Sequence, residues 1–283
     1  KSLFSQASYG NALQDYDTEN FNLVIPYSGE NFSITYGVQL IDSQRKDSSG
    51  LVTKDNKGYF VDTEIRMTDQ LLLNAGTRFE KVDYTYNGSS SLKANESLNA
   101  YEIGINYAFN DSFAIFSNFN HAFQAPDVDR FFKGEYPAPA YTLSSRSFNA
   151  FIDPAKSNTF NIGFNFKNNK ASTLCTTYFS TLKNEIVYNP TTFLNENIDN
   201  SEKYGLEFKQ IINPTKNISF GLSYNFVKAK IGKNSQGLIN GKDMPGVPRQ
   251  TAVINLRYQF DPQGSISVSH AWRESSYDMG EFA

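Results

Sequence analysis

Cysteine, tryptophan and histidine are almost missing from this chain: its 283 residues hold one Cys, one Trp and two His. The lone Cys175 excludes an internal disulfide framework and a cysteine-based zinc cluster. An excess of one charge is also lacking, with 26 Lys and Arg against 29 Asp and Glu. A nucleic-acid partner would call for a basic patch, so none is expected. No stretch of about 18 apolar residues occurs, which excludes a transmembrane helix. Helical periodicity is nearly absent as well. The opening residues, Lys1-Ser-Leu-Phe-Ser5, lack the apolar core and small-residue cleavage site of a signal peptide. The chain is therefore expected to begin in mid-protein, and Tyr277–Ala283 reads as an outgoing strand and loop cut short.

Aromatic residues are abundant. Phe and Tyr number 24 and 17, yet the mean hydropathy is a polar −0.48. That combination suits a β-barrel whose lipid-facing and lumen-facing side chains alternate, and equally an aromatic-rich β-sandwich. Period-two segments recur throughout. Phe32, Ile34, Tyr36, Val38 and Leu40 share one face, against Ser33, Thr35, Gly37 and Gln39. Tyr101, Ile103, Ile105, Tyr107 and Phe109 oppose Glu102, Gly104, Asn106 and Ala108. The same pattern holds around Phe160–Phe166, Ile218–Phe226 and Ile254–Phe260. The second face carries Asn, Gln, Glu and Arg too regularly for a packed interior, so it is expected to be wet.

The connections alternate in length. Turn formers cluster at Tyr27–Asn31, Asp69-Gln70, Asn110–Ser112, Asn168–Lys170, Asn213–Asn217 and Asp261–Gly264. Between them lie longer polar segments, about Asp47–Lys57, Asn87–Ser97, Ala125–Lys156, Lys183–Asn200 and Gly232–Pro248. Tight turns at one end and long loops at the other are the pattern of outer-membrane barrels. A sandwich, whose two ends are alike, has no reason to keep it. The fold class is therefore all-β, a transmembrane antiparallel up-and-down barrel, with about twelve or thirteen strands across residues 1–283.

His121-Ala-Phe-Gln-Ala-Pro126, at the end of an aromatic strand, resembles a motif of TonB-dependent outer-membrane receptors, with Gln124 where arginine is usual. Lys156-Ser-Asn-Thr-Phe-Asn-Ile-Gly163 resembles the family's next strand. Asn197–Glu207, ending Tyr-Gly-Leu-Glu, is similar to the one after it. Pro245-Gly-Val-Pro-Arg-Gln-Thr251 resembles the segment that re-enters the barrel after a long loop. These matches come in the family's order, from about Tyr101 to the end. The resemblance implies a 22-stranded barrel in the bacterial outer membrane, set in lipid and lipopolysaccharide. It implies an N-terminal plug domain and a final aromatic strand, neither of which can be placed in this chain. It also implies import of a scarce nutrient, energised by the TonB–ExbB–ExbD complex through the plug.

The trap for such a ligand is expected in the longest connection, Ala125–Lys156. Arg130, Phe131, Lys133, Tyr136, Tyr141 and Arg146 are the candidate ligand contacts, with Phe132 and Phe148 in the same loop. Cations interleaved with aromatics suit an anionic, ring-bearing iron chelate, a ferric siderophore. The plainer reading is a loop that covers its neighbours with aromatic residues. No cofactor, resident metal or catalytic residue is expected. His121 and His270 read as outward-facing aromatic-belt positions, and the loop after Ala-Pro holds no histidine, which demotes haem. Cobalamin and metal receptors of the same family stay open. Cys175 reads as a small strand filler. Asp127, Asp129 and Asp153 could hold calcium, without the spacing of an EF-hand. The Asn-x-Ser triplets at Asn87, Asn95, Asn110 and Asn217 read as turns. A passive porin is the rival reading; it would need no plug and no Ala-Pro motif, and its loop should fold inward as a constriction. An outer-membrane phospholipase using His121 and Ser117 is a further alternative, but no Gly-x-Ser-x-Gly elbow is present.

Overall fold

The alternating segments pair with their chain neighbours throughout. The computed structural model describes residues 14–135, 145–189, 192–232 and 240–277. Its strands in chain order are β1 (Asp15–Ser28), β2 (Phe32–Asp47), β3 (Gly50–Arg66), β4 (Leu71–Gly88), β5 (Ser91–Asn110) and β6 (Phe113–Gln124). A short 3-10 turn (Val128–Phe131), β7 (Phe132–Glu135) and β8 (Ser145–Phe148) follow. The remainder are β9 (Ala155–Lys167), β10 (Ala171–Asn189), β11 (Leu194–Thr215), β12 (Ile218–Ile231), β13 (Gln250–Asp261) and β14 (Gly264–Arg273). All but β7 and β8 form one twelve-stranded antiparallel sheet in sequence order, and β7 and β8 form a separate ribbon. No described helix is long and apolar enough to cross a membrane.

Register carries the alternation across strands. Ile25, Tyr36, Val61, Thr77, Tyr101 and His121 lie on consecutive strands as direct partners. Ser117, Ile162, Thr177, Leu206 and Phe226 continue another such row. This face leaves its large apolar groups open, among them Ile103, Phe160, Phe179, Leu256 and Trp272. Rows of exposed Ile, Phe and Tyr are stable only against hydrocarbon. The opposite face is polar, running for example through Asp62, Gly76, Glu102 and Asn120. Glycines there leave room for a neighbour's side chain to lie across the strand: a Cβ on Gly163 would fall 2.5 Å from the Phe116 ring.

One set of ends closes tightly. Asn110 Oδ1 accepts from the amides of Ser112 and Phe113, and Asn168 Oδ1 accepts from Lys170 and Ala171. Asx turns of this kind satisfy backbone donors while reversing the chain. The expectation for the other end needs correcting. Asp47–Lys57, Asn87–Ser97 and Lys183–Asn200 are mostly strand, because β2–β3, β4–β5 and β10–β11 continue as hairpins well past the sheet's apolar band. Asn95, expected in a turn, is inside β5 opposite Asp83. A polar residue does not end a strand whose backbone is paired and whose outward face, beyond the membrane, meets water. Among the described residues, the sheet strands that stay far apart along the chain are β6 and β9, and β12 and β13.

The densest packing sits at that far end. Val52, Val82, Tyr84, Tyr86 and Leu98 form a cluster with Val128, Phe131 and Phe132 from the long connection. Ile198, Ala229, Ile231 and Met244 form a second one, with Val187 and Val247 packed against it.

Candidate functional site: the loop-covered mouth

Residues 125–135 leave β6 at Ala125-Pro126 and, with residues 145–154, fold back over the polar face of β2 to β5. Tyr84, on that face, donates its hydroxyl to the carbonyl of the buried Pro126 (2.9 Å). Asp127 caps the 3-10 turn through Val128 N–H. Beyond it, Phe131 meets Tyr84 edge-on at 5.2 Å, and Phe148 stacks on Tyr86 at 4.0 Å and 8°. Aromatic pairs in these arrangements add to the energy of area burial.

Arg45 anchors the loop from below. It is wholly buried, its guanidinium over the Phe132 ring, and it pairs with Asp47 (2.6 Å) and with Asp129 (3.2 Å). Burial pulls its pKa down, against the pull of Asp47 and Asp129 in the other direction. Tyr16 of β1 donates to the same Asp129 (2.6 Å), and burial with that bond pushes its pKa up to about 12. Lys54 of β3 reaches the carbonyl of Ala125 (3.5 Å) and lies 3.9 Å from Asp127. Burial lowers the Lys54 pKa, with Asp127 opposing.

Next to this anchor is an open polar cavity of about 490 Å³, lined by Lys54, Gln124, Asp127, Asp129, Arg130 and Asn195. Arg130 is exposed and donates to Asn195 Oδ1 (3.0 Å), tying the loop to β11. Further along the polar face, Arg78 donates to Glu80 (2.8 Å) and Gln39 (2.8 Å), while Asn56 donates to Glu80 (2.7 Å). A second cavity of about 470 Å³ follows, with Phe60, Asp62, Arg78, Glu102 and Asn120 in its lining.

The expected ligand contacts separate into three kinds. Arg130, Lys133 and Arg146 keep solvent access, Lys133 lying 3.8 Å from Glu135. Phe131 is 1 % exposed, enclosed by Tyr84, Phe148 and Phe151. Its placement as a ligand contact is corrected accordingly: its ring is spent on holding the loop. Tyr136 and Tyr141 lie outside the described residues. Arg45, Tyr16, Lys54 and Asn195 were not singled out by sequence. Three of them occur on strands whose partner loop comes from far along the chain, and nothing local marks them.

The calcium idea fails on its partners. Asp127 caps a turn, Asp129 is taken by Tyr16 and Arg45, and Asp153 bonds Asn197 through its backbone. No metal-holding group of three occurs among the described residues. His121 is outward as its parity requires, stacked on Tyr101 and bonded to Asn158 Oδ1 (2.7 Å). Ser117 donates instead to the Asn161 carbonyl, so the two do not form a nucleophile and base.

A wall of up-and-down strands with an apolar outer face and loops folded into its mouth defines an outer-membrane β-barrel protein. Residues 2–281 match the family described as TonB dependent receptor-like, beta-barrel, and the chain belongs to that family. Barrels of this family sit in the bacterial outer membrane. Over 246 residues, 80 % of this chain and 32 % of the relative, it is 24 % identical to a protein of Acinetobacter baumannii named a probable TonB-dependent siderophore receptor, PiuA. The solved structure of the siderophore receptor PiuA from Acinetobacter baumannii aligns with a TM-score of 0.71 at 16 % identity, covering 96 % of this chain and 48 % of that one. The structure titled copper transporter OprC aligns at 0.76 and 17 % identity, covering 91 % and 43 %. The chain thus spans about a third of the curated relative and under half of these structures. An inward-folded loop, expected of a porin, occurs here in a chain of the receptor family and does not separate the two.

Proposed function

We propose that the complete protein imports a ferric siderophore across the outer membrane, drawing energy from TonB through a plug domain outside this chain. The observation that carries the reading is the polar cavity at the mouth, with Arg130 and Lys54 on its wall, in a chain related to a probable siderophore receptor. Cationic groups near aromatic rings suit the negatively charged, ring-bearing surface of an iron chelate. Arg130, Lys133, Arg146, Tyr136 and Tyr141 are the proposed contacts, and Phe131 with Arg45 holds the loop that presents them. In the intact barrel, the Arg78–Glu80 side of the lumen would receive the ligand next.

The test is uptake of iron-loaded siderophores by cells carrying the complete receptor, grown under iron limitation, with and without functional TonB. Uptake that requires both receptor and TonB is expected, together with about a ten- to hundredfold loss of affinity in Arg130→Ala, one charge-assisted contact being worth roughly 1.5–3 kcal/mol. Uptake that persists without TonB would favour a porin. Transport of cobalamin, haem or a bare metal in place of ferric chelates would refute the substrate while leaving the class intact.

A further inference from the structure

The loop that covers the mouth is held differently on its two sides. Toward β2 and β3 the ties are ionic: Arg45 pairs with Asp129, and Lys54 lies 3.9 Å from Asp127. Toward β11 they are neutral, made by two asparagines on the same strand. Asn195 Oδ1 accepts from Arg130 Nη1 (3.0 Å). Asn197 Oδ1 accepts from the Asp153 N–H (2.9 Å), and its Nδ2 donates to the carbonyls of Asp153 (3.0 Å) and Asn184 (2.8 Å). The β10–β11 pairing skips Asn184, whose φ of 54° is left-handed. Asn197 therefore supplies, at that break, a side-chain bond in place of the ladder bond that is lost.

The neutral tie at Asn195 has a chemical consequence. An arginine only donates, so the amide oxygen is the atom that must meet it. A carboxylate in the same place would make a stronger bond and would also cancel the charge. The amide holds the guanidinium and leaves its charge in place. Among the described residues no carboxylate comes within ion-pair distance of Arg130. The acidic groups nearest to it on the cavity wall are engaged elsewhere: Asp129 by Tyr16 and Arg45, Asp127 by the 3-10 turn. The exposed guanidinium thus stands on the wall of the polar cavity of about 490 Å³, tied through Nη1 and with further N–H groups to give. A side chain ordered beforehand costs an incoming ligand less to fix.

We propose that Asn195 is a positioning residue: it holds Arg130 at the mouth cavity as an uncompensated cation, and the cavity thereby takes chelates with anionic oxygen groups in preference to neutral ones. What the cavity receives rests on the import reading above; the state of Arg130 does not. A tie that served only to hold the loop would be made as well or better by aspartate, which accepts more strongly. An amide is the partner that fixes a cation without cancelling its charge.

The experiment reads Arg130 directly. The complete receptor in detergent is treated with phenylglyoxal, which modifies arginines, and modification of Arg130 is followed by mass spectrometry. In wild type Arg130 is expected to react, and citrate, with or without iron, to protect it. Ferrichrome, a neutral trihydroxamate chelate, should not protect at equal concentration. N195D keeps the tie and neutralises the cation. With no anion added, its Arg130 should react about tenfold more slowly, because an opposite charge within bonding reach favours the charged guanidinium. Citrate should then no longer protect. N195L releases the side chain: Arg130 should react at least as fast as in wild type, and about five times more citrate should be needed, for the ordering of one long side chain. All variants are checked for the heat-modifiable gel mobility of a folded barrel. Equal reactivity and equal citrate protection in wild type and N195D overturn the proposal, as does protection by ferrichrome equal to that by citrate. Citrate protection in a receptor that takes up no ferric chelate would remove the import reading and leave the role of Asn195 standing.

Discussion

The guanidinium of Arg45 lies 3.4 Å from the centroid of the Phe132 ring, with its whole side chain shut away from water. A strand of the wall and a loop nearly 90 residues downstream are joined there by a stacked cation. Asp47, 4 % exposed, supplies one counter-charge, and Asp129 from the loop supplies another. The mouth of the barrel is thus held by groups that have no reason to be buried apart from one another.

Removing that cation leaves Asp47 buried without a counter-charge, held only by the amide and hydroxyl of Ser49. Arg45→Met is expected to cost about 3–5 kcal/mol in the urea unfolding of the barrel in lipid vesicles, as for other broken buried pairs. Arg45→Met/Asp47→Leu should recover most of the loss. A single variant within 1 kcal/mol of wild type would mean the pair contributes little to the loop.

Phe131→Ala should free the loop while sparing the wall. Truncating a buried phenylalanine costs about 3–5 kcal/mol, and here the cost falls on the docking of residues 125–154. Limited proteolysis should then cut within the loop in the variant and not in wild type. Equal resistance in both would return Phe131 to the group of ligand contacts.

Gly163 and Gly221 separate close approach from mere flexibility. A Cβ on Gly163 would collide with the Cys175 carbonyl oxygen and sit 2.5 Å from the Phe116 ring, whereas on Gly221 the nearest atom is at 3.6 Å. Gly163→Ala is expected to destabilise by about 1–3 kcal/mol, the range for overpacking, and Gly221→Ala to be near neutral. Equal effects in the same unfolding assay would contradict the close packing.

The Tyr16–Asp129 contact sets an alkaline limit. Burial and the Asp129 bond raise the Tyr16 pKa to about 12, above the ordinary value of 10.0. A raised pKa gives stability that is complete below the unfolded value and is lost as pH climbs through the folded one. Loop docking should therefore weaken between pH 10 and about 12. The difference in tyrosinate absorbance between wild type and Tyr16→Phe measures it; a Tyr16 titrating near 10 would refute the contact.

The sequence alone determined the wall. Strict alternation in segments such as Phe32–Leu40 and Tyr101–Phe109 implies two different solvents, because a strand turns successive side chains to opposite faces. Asn110 and Asn168 could likewise be read as turns, since an Asx bond is made within three residues. The Ala-Pro motif marked where the long connection begins. Tertiary structure decided how far β2 to β5 and β10–β11 extend, and which loop residues face inward. Phe131 and Arg130 are neighbours of unlike fate, one in an aromatic cluster and the other on a cavity wall. Their difference is set by Tyr84, Phe148 and Asn195, whose positions come from register between distant strands. Local pattern fixes which face a side chain takes, whereas burial depends on what the rest of the chain brings to that face.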